Sequence, residues 1–142
     1  MSGPLKGVRV LDLTRVLAGP FGTQILADLG AEVIKLERPQ TGDDTRGWGP
    51  PYVKDTHGND TAETTYFASC NRGKKSVTLD LADAQAQQQI RELAGQCDVL
   101  VENYKVGDLV RYGLDYAFLH RLHPALIYCS ITGWGQSGPY LT

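Results

Sequence analysis

Cysteine is scarce: the 142 residues hold three, Cys70, Cys97 and Cys129, an odd number at wide spacing. That suits reduced thiols in a cytosol better than a disulfide framework. Neither sign of charge is in excess. The 14 basic and 16 acidic side chains leave a formal charge of -2, so no bulk field attracts nucleic acid, although local basic clusters stay open. No apolar run approaches the roughly 18 residues that a membrane span needs. The opening Met1-Ser2-Gly3-Pro4-Leu5-Lys6-Gly7 lacks the charged and apolar blocks of a secretory signal. A soluble cytoplasmic protein with no membrane and no nucleic-acid partner is the expectation.

What the chain does have is a core. Hydrophobic residues make up 42% of it, a globular share, and they alternate between two periods. Residues 7–13 are short, apolar and β-branched at Val8 and Val10, which predicts a strand. Ile25, Leu26 and Leu29 then share a helical face, with Gly30 as its stop. Val33-Ile34-Lys35-Leu36 predicts the next strand, and residues 76–81 read as extended. Ala86, Ile90, Leu93 and Ala94 mark a helix that Gly95 ends; residues 98–102 form another strand. Asp115 is placed to cap a helix carrying Tyr116, Leu119 and Leu122, which Pro124 limits, before a final strand over 125–131. This rhythm predicts an α/β fold, an open, mostly parallel sheet flanked by helices.

Two stretches break the rhythm. Residues 39–63 carry Gly42, Gly47, Gly49, Pro50, Pro51 and Gly58 and read as a long irregular excursion, either a functional flap or a surface insertion. The glycine-rich segment from Gly133 to Tyr140 leaves the last strand, where α/β folds build sites, and the chain stops soon after it. An N-terminal piece of a longer protein and a complete small domain with a frayed tail both fit that ending.

Several familiar signals fail. Gly73-Lys74-Lys75-Ser76 approaches a phosphate loop, but the required earlier glycine falls on Ala68. No G-x-G-x-x-G follows the first strand. His120 and His123 lack a carboxylate or cysteine to complete a metal set. No Ser/His/Asp arrangement can be assigned. What remains lies at predicted strand ends: Arg15 with Leu17 and Ala18, then Arg38, then Asn103-Tyr104-Lys105 with Arg111 beyond. In an open parallel sheet these ends face one crevice, and arginine forks beside a helix N-terminus suit phosphates. Ordinary surface charge and strand-end caps are the competing reading. Recurrence along one edge favours a polyanionic nucleotide ligand, with Tyr104 against its base.

At these residues the chain resembles a known family. Residues 7–20 and 29–39, Gly42-Asp43-Asp44-Thr45-Arg46, Asn71-Arg72-Gly73-Lys74-Lys75-Ser76, residues 98–104 and Gly133-Trp134-Gly135-Gln136-Ser137-Gly138-Pro139 look like the opening of class III coenzyme A transferases, the CaiB/BaiF family. The resemblance implies a Rossmann-like large domain, of which residues 1–142 are the N-terminal part. The small domain and catalytic segment are then absent, and the full-length protein is an interlocked homodimer. It implies coenzyme A or acyl-CoA as substrate, a small carboxylate as second substrate, and no tightly bound cofactor. The family's coenzyme A site maps onto Arg15, Leu17, Ala18, Arg38, Leu79, Asp80, Asn103, Tyr104, Lys105 and Arg111. Arg15 suits the dicarboxylate-transferase branch. The nucleophilic aspartate is expected beyond Thr142, so no catalytic residue is assigned; Asp12, Asp28, Asp43 and Asp44 read as caps, turns or ion-pair partners. Acyl-CoA:carboxylate coenzyme A transfer is the leading expectation. Racemisation of an α-methylacyl-CoA and a non-catalytic coenzyme A-binding fragment are the alternatives.

Overall fold

A computed structural model describes residues 3–140. Met1 and Ser2 of the opening stretch, and Leu141 and Thr142 at the other end, lie outside the described residues. In chain order the elements are strand β1 (Arg9–Asp12), helix α1 (Ala18–Asp28), β2 (Glu32–Glu37), β3 (Tyr52–Lys54), β4 (Asp60–Thr64), α2 (Thr65–Asn71), β5 (Lys75–Thr78), α3 (Ala84–Ala94), β6 (Val99–Glu102), α4 (Tyr116–Leu122) and β7 (Ile127–Ser130). Short 3-10 turns cover Asp44–Gly47 and Val110–Tyr112.

Five strands form one sheet in the order β5-β2-β1-β6-β7, every neighbouring pair parallel. β1 is central, and its alternating side chains enter two cores. Val10 joins Ala31, Val33 and Val101 on the face covered by Leu26 and Ala27 of α1. Leu11 joins Ile34, Leu36 and Leu100 on the other face, under Ile90 and Ala94 of α3 and Leu119 of α4. Burial on both faces is why these strands read as nearly continuous apolar runs. The expected strands and helices are present, and the sheet is parallel throughout.

Three local expectations change. Residues 39–63 are not structureless: a 3-10 turn and the antiparallel pair β3–β4 organise them. Helix α2 follows directly, capped by Thr64, whose Oγ1 accepts from the Phe67 N–H at 3.2 Å. It buries Phe67 and Cys70, and no element is expected there from the sequence. Asp115 does precede α4 with extended backbone, but its side chain makes no capping bond.

The topology places the site. From β1 the chain moves through β2 to β5 on one side; α3 then returns it to β6, on the other side of β1. The carboxyl ends of β1 and β6 therefore flank the point where the winding reverses, the position at which open α/β sheets bind ligands.

Candidate functional site

The loop after β1 and the start of the loop after β6 are joined across that point. The Asn103 side chain accepts from the Arg15 N–H at 2.9 Å and donates to the Arg15 carbonyl at 2.8 Å. The Tyr104 N–H donates to Glu102 at 2.8 Å, and the Tyr104 ring lies beneath Arg15, whose guanidinium carbon is 4.8 Å from the ring centroid. Arg38 arrives from the end of β2. Asp44 joins the two arginines: it accepts from Arg38 and lies 3.9 Å from an Arg15 terminal nitrogen. Arg15, Leu36, Arg38, Leu79 and Tyr104 line one narrow cleft. Burial pushes the Tyr104 phenol up, against the nearby Arg15 and Arg38 charges. The Arg15 Nε is buried and has no hydrogen-bond partner among the described residues.

The β1 loop is held in an uncommon shape. Val16, β-branched, sits at φ 70°, a conformation that costs on the order of 1–3 kcal/mol and persists only where its surroundings impose it. Here the surroundings are ionic. Asp43 accepts from the Val16 N–H at 3.3 Å, the Thr45 N–H at 3.0 Å, the Thr45 hydroxyl at 2.8 Å and Lys35 Nζ at 2.9 Å. Lys35 Nζ also donates to the Thr14 carbonyl at 2.9 Å, and the Lys35 and Asp43 side chains are 1% and 0% exposed. Burial raises the Asp43 carboxyl, but its donors outweigh that and leave it below its usual range. Glu37 extends the network, accepting from Arg46 at 2.7 and 2.8 Å, Ser76 at 2.6 Å and the Asp43 N–H at 2.9 Å. Burial opposes its ionisation too, and these bonds still hold it down to about 2.

A second buried pair supports the same loop from behind. Asp12 accepts from the Thr14 N–H at 3.0 Å, Thr23 Oγ1 at 2.6 Å and Lys74 Nζ at 3.0 Å. Burial pushes the Lys74 amine down, opposed by Asp12. Sequence reading missed Lys35 and Lys74 as site supports. The signal was present for Lys35, an ammonium inside the apolar run Val33-Ile34-Lys35-Leu36. Lys74 gave none, since its partner is 62 residues away.

The remaining expected residues are not all gathered in that cleft. Leu17 precedes α1 and Ala18 opens it, with no acidic side chain in the first turn. Asp80 forms a turn, accepting from the Ala82 N–H at 2.9 Å. Lys105 lines a wider cavity with Glu102, Leu109, Tyr116 and Tyr128. Arg111 lies over Tyr112, 4.8 Å from the ring centroid, and borders a depression shared with Arg91 and Phe118. His120 stacks on Tyr116, and the His123 ring bonds to the Arg91 carbonyl at 2.9 Å. Among the described residues no cluster of His, Cys, Asp or Glu could hold a metal ion, and no helix is long and apolar enough to cross a membrane. Burial pushes the Cys97 thiol up to about 11, so at neutral pH it is not a thiolate.

Comparison with known proteins decides the family: residues 5–142 match the family described as CoA-transferase family III. The chain belongs to it. A crystal structure of a CaiB/BaiF family protein from Brucella suis superposes with a TM-score of 0.91 at 49% identity, covering 99% of this family III chain and 36% of that one. The succinyl-CoA:glutarate CoA-transferase of Mus musculus is 57% identical over 96% of the chain and 30% of its own length. The succinate–glutarate CoA-transferase of Agrobacterium fabrum is 53% identical over 96% of the chain and 34% of its own length. The chain thus spans about a third of the relatives it matches. Its fold is that of the CaiB/BaiF proteins, over the part that it covers.

Proposed function

We propose that this family III chain supplies the coenzyme A half-site of a transferase that moves coenzyme A from a thioester to a free carboxylate, with succinyl-CoA as donor and a dicarboxylate as acceptor. The convergence of Arg15, Arg38 and Tyr104 on the switch-point cleft carries the reading. Coenzyme A ends in a phosphorylated nucleotide, for which two guanidinium forks and an aromatic ring between apolar walls are suited partners. Leu79 lines that cleft, and Asn103 holds the Arg15 backbone beside it; Leu17, Ala18 and Asp80 lie outside its lining. Lys105 and Arg111, in separate depressions, suit an extended ligand better than a compact nucleotide. Holding this remote handle orients the thioester at the reacting centre.

On this reading a carboxylate nucleophile attacks the donor thioester, forming a mixed anhydride and expelling CoA thiolate. The thiolate attacks the enzyme's own carbonyl, releasing the donor acid and leaving an enzyme thioester. The acceptor carboxylate then reverses both steps. Asp12 and Asp43 are buried in ion pairs, Asp28 pairs with Arg72 at 2.6 Å, and Asp44 pairs with Arg38. These four are engaged as ion-pair partners, and in keeping with the family resemblance we assign the nucleophile to an aspartate beyond Thr142. Residues 1–142 are, on this reading, the N-terminal part of the coenzyme A-binding large domain, completed by a small domain in an interlocked homodimer. Free thiols at Cys70, Cys97 and Cys129 suit a cytoplasmic setting. The test is an assay of the full-length protein with succinyl-CoA and a panel of carboxylates that includes glutarate. Formation of the acceptor's CoA thioester is expected. No transfer to any acceptor overturns the reading, and α-proton exchange without transfer replaces it with racemisation.

A further inference from the structure

We infer that Asp44 is a built-in counter-ion that holds the anion position of the Arg15–Arg38 cleft until a phosphate of the incoming coenzyme A displaces it. The inference rests on the proposed coenzyme A site and adds what sets its affinity. Asp44 is delivered by the excursion between β2 and β3, where it opens the 3-10 turn that Asp43 caps. Its carboxylate meets both arginines of the cleft, Arg38 through one oxygen and Arg15 through the other.

Its setting differs from that of its neighbour. Asp43 is fully buried and holds several donors, including Lys35 and Thr45. Asp44 is 40% exposed, and its ion-pair partners are two partly exposed guanidinium groups. Exposed ion pairs are weak and screened by salt, so Asp44 can leave while Asp43 keeps the loop in place. The cleft also offers more than Asp44 takes. Arg15 Nε is buried with no acceptor among the described residues, and the Arg15 contact to Asp44 is long at 3.9 Å. A phosphate brings more oxygens and more charge than a carboxylate, and it can engage these donors together. Exchange of the one anion for the other leaves both arginines paired before and after binding.

Removing the counter-ion therefore strengthens binding. Titration calorimetry of the full-length protein with coenzyme A and with adenosine 3′,5′-bisphosphate is expected to show Asp44→Asn binding about three- to tenfold more tightly than wild type, with a steeper salt dependence. Asp44→Glu, which restores the charge, returns affinity toward wild type. In an Arg38→Ala background the gain from Asp44→Asn shrinks, because one of the freed cations is gone. If Arg38→Ala alone leaves affinity unchanged, the cleft is not the site, and the proposed reading falls together with the inference. If Arg38→Ala weakens binding while Asp44→Asn fails to tighten it, the inference alone falls, and Asp44 instead positions the two guanidinium groups.

Discussion

A charged side chain inside a central strand is costly unless its surroundings answer it. Lys35, within the apolar run of β2, is answered by Asp43 and the Thr14 carbonyl, and Glu37 two residues on by Arg46 and Ser76. The consequence is a pH dependence of stability. Glu37 titrates near 4.5 when unfolded and near 2 when folded. Its depressed value stabilises the fold fully above the unfolded pKa, and that stabilisation is lost as pH falls from about 4.5 to about 2. Asp43, lowered likewise, acts in the same direction. Glu37→Gln should reduce stability at neutral pH by on the order of 2 kcal/mol and flatten the acid limb. Urea denaturation at a series of pH values checks both; an acid limb as steep as wild type contradicts the assignment. In the sequence Glu37 and Asp43 look like strand-end and turn residues, because nothing local marks a carboxylate whose partners come from other segments.

The helices differ in how they begin, and that difference can be measured. Asp83 caps α3 through side-chain bonds from the Gln85 N–H at 3.3 Å and the Ala86 N–H at 3.0 Å. Asp115 stands in the same position before α4 without such a bond. Asp83→Ala should cost about 1 kcal/mol, and Asp115→Ala distinctly less; thermal unfolding of the two variants compares them directly, and equal losses would contradict the capping geometry. Both aspartates look alike in sequence. Periodicity was legible for α1 and α3, each 11 residues long. The same held for α4, of seven residues, but not for α2, which packs on α1, nor for the β3–β4 pair, hidden among glycines and prolines. The loop that carries Arg15 was legible as a strand end, but its backbone shape was not. Val16 adopts its left-handed backbone because Asp43 and Asn103 hold the segment on both sides.

One face of the molecule is unlike a finished surface. Leu17, Phe21, Ile25 and Leu29 recur at four-residue spacing along α1 and are 42% to 50% exposed. Gly22 lies among them, and a Cβ added there would meet nothing within 4 Å among the described residues. An apolar stripe of this kind favours association, and it suits cover from further polypeptide, consistent with a chain that spans about a third of its relatives. The isolated 142-residue chain should therefore self-associate. Ile25→Lys should reduce the association by placing a charge in the stripe. Sedimentation velocity checks this; a monodisperse wild-type chain, or an unchanged distribution for the variant, refutes the role given to α1.

By itself the amino-acid sequence determined the alternation of strands and helices and the two-sided burial of the sheet. Both depend on periods of two and 3.6 residues within one segment, and the family motifs lie in order along the same chain. Only the tertiary structure decided which strand neighbours which, and hence that β1 and β6 flank the switch point. It alone paired Asn103 with Arg15 across 88 residues and Lys74 with Asp12 across 62, and it brought Asp44 between Arg15 and Arg38 while leaving Lys105 and Arg111 in other depressions. The reason is physical. A segment's hydrophobic pattern is set by its own residues, whereas a buried charge is tolerable only where the folded chain brings a partner to it, and nothing near it in sequence records that partner.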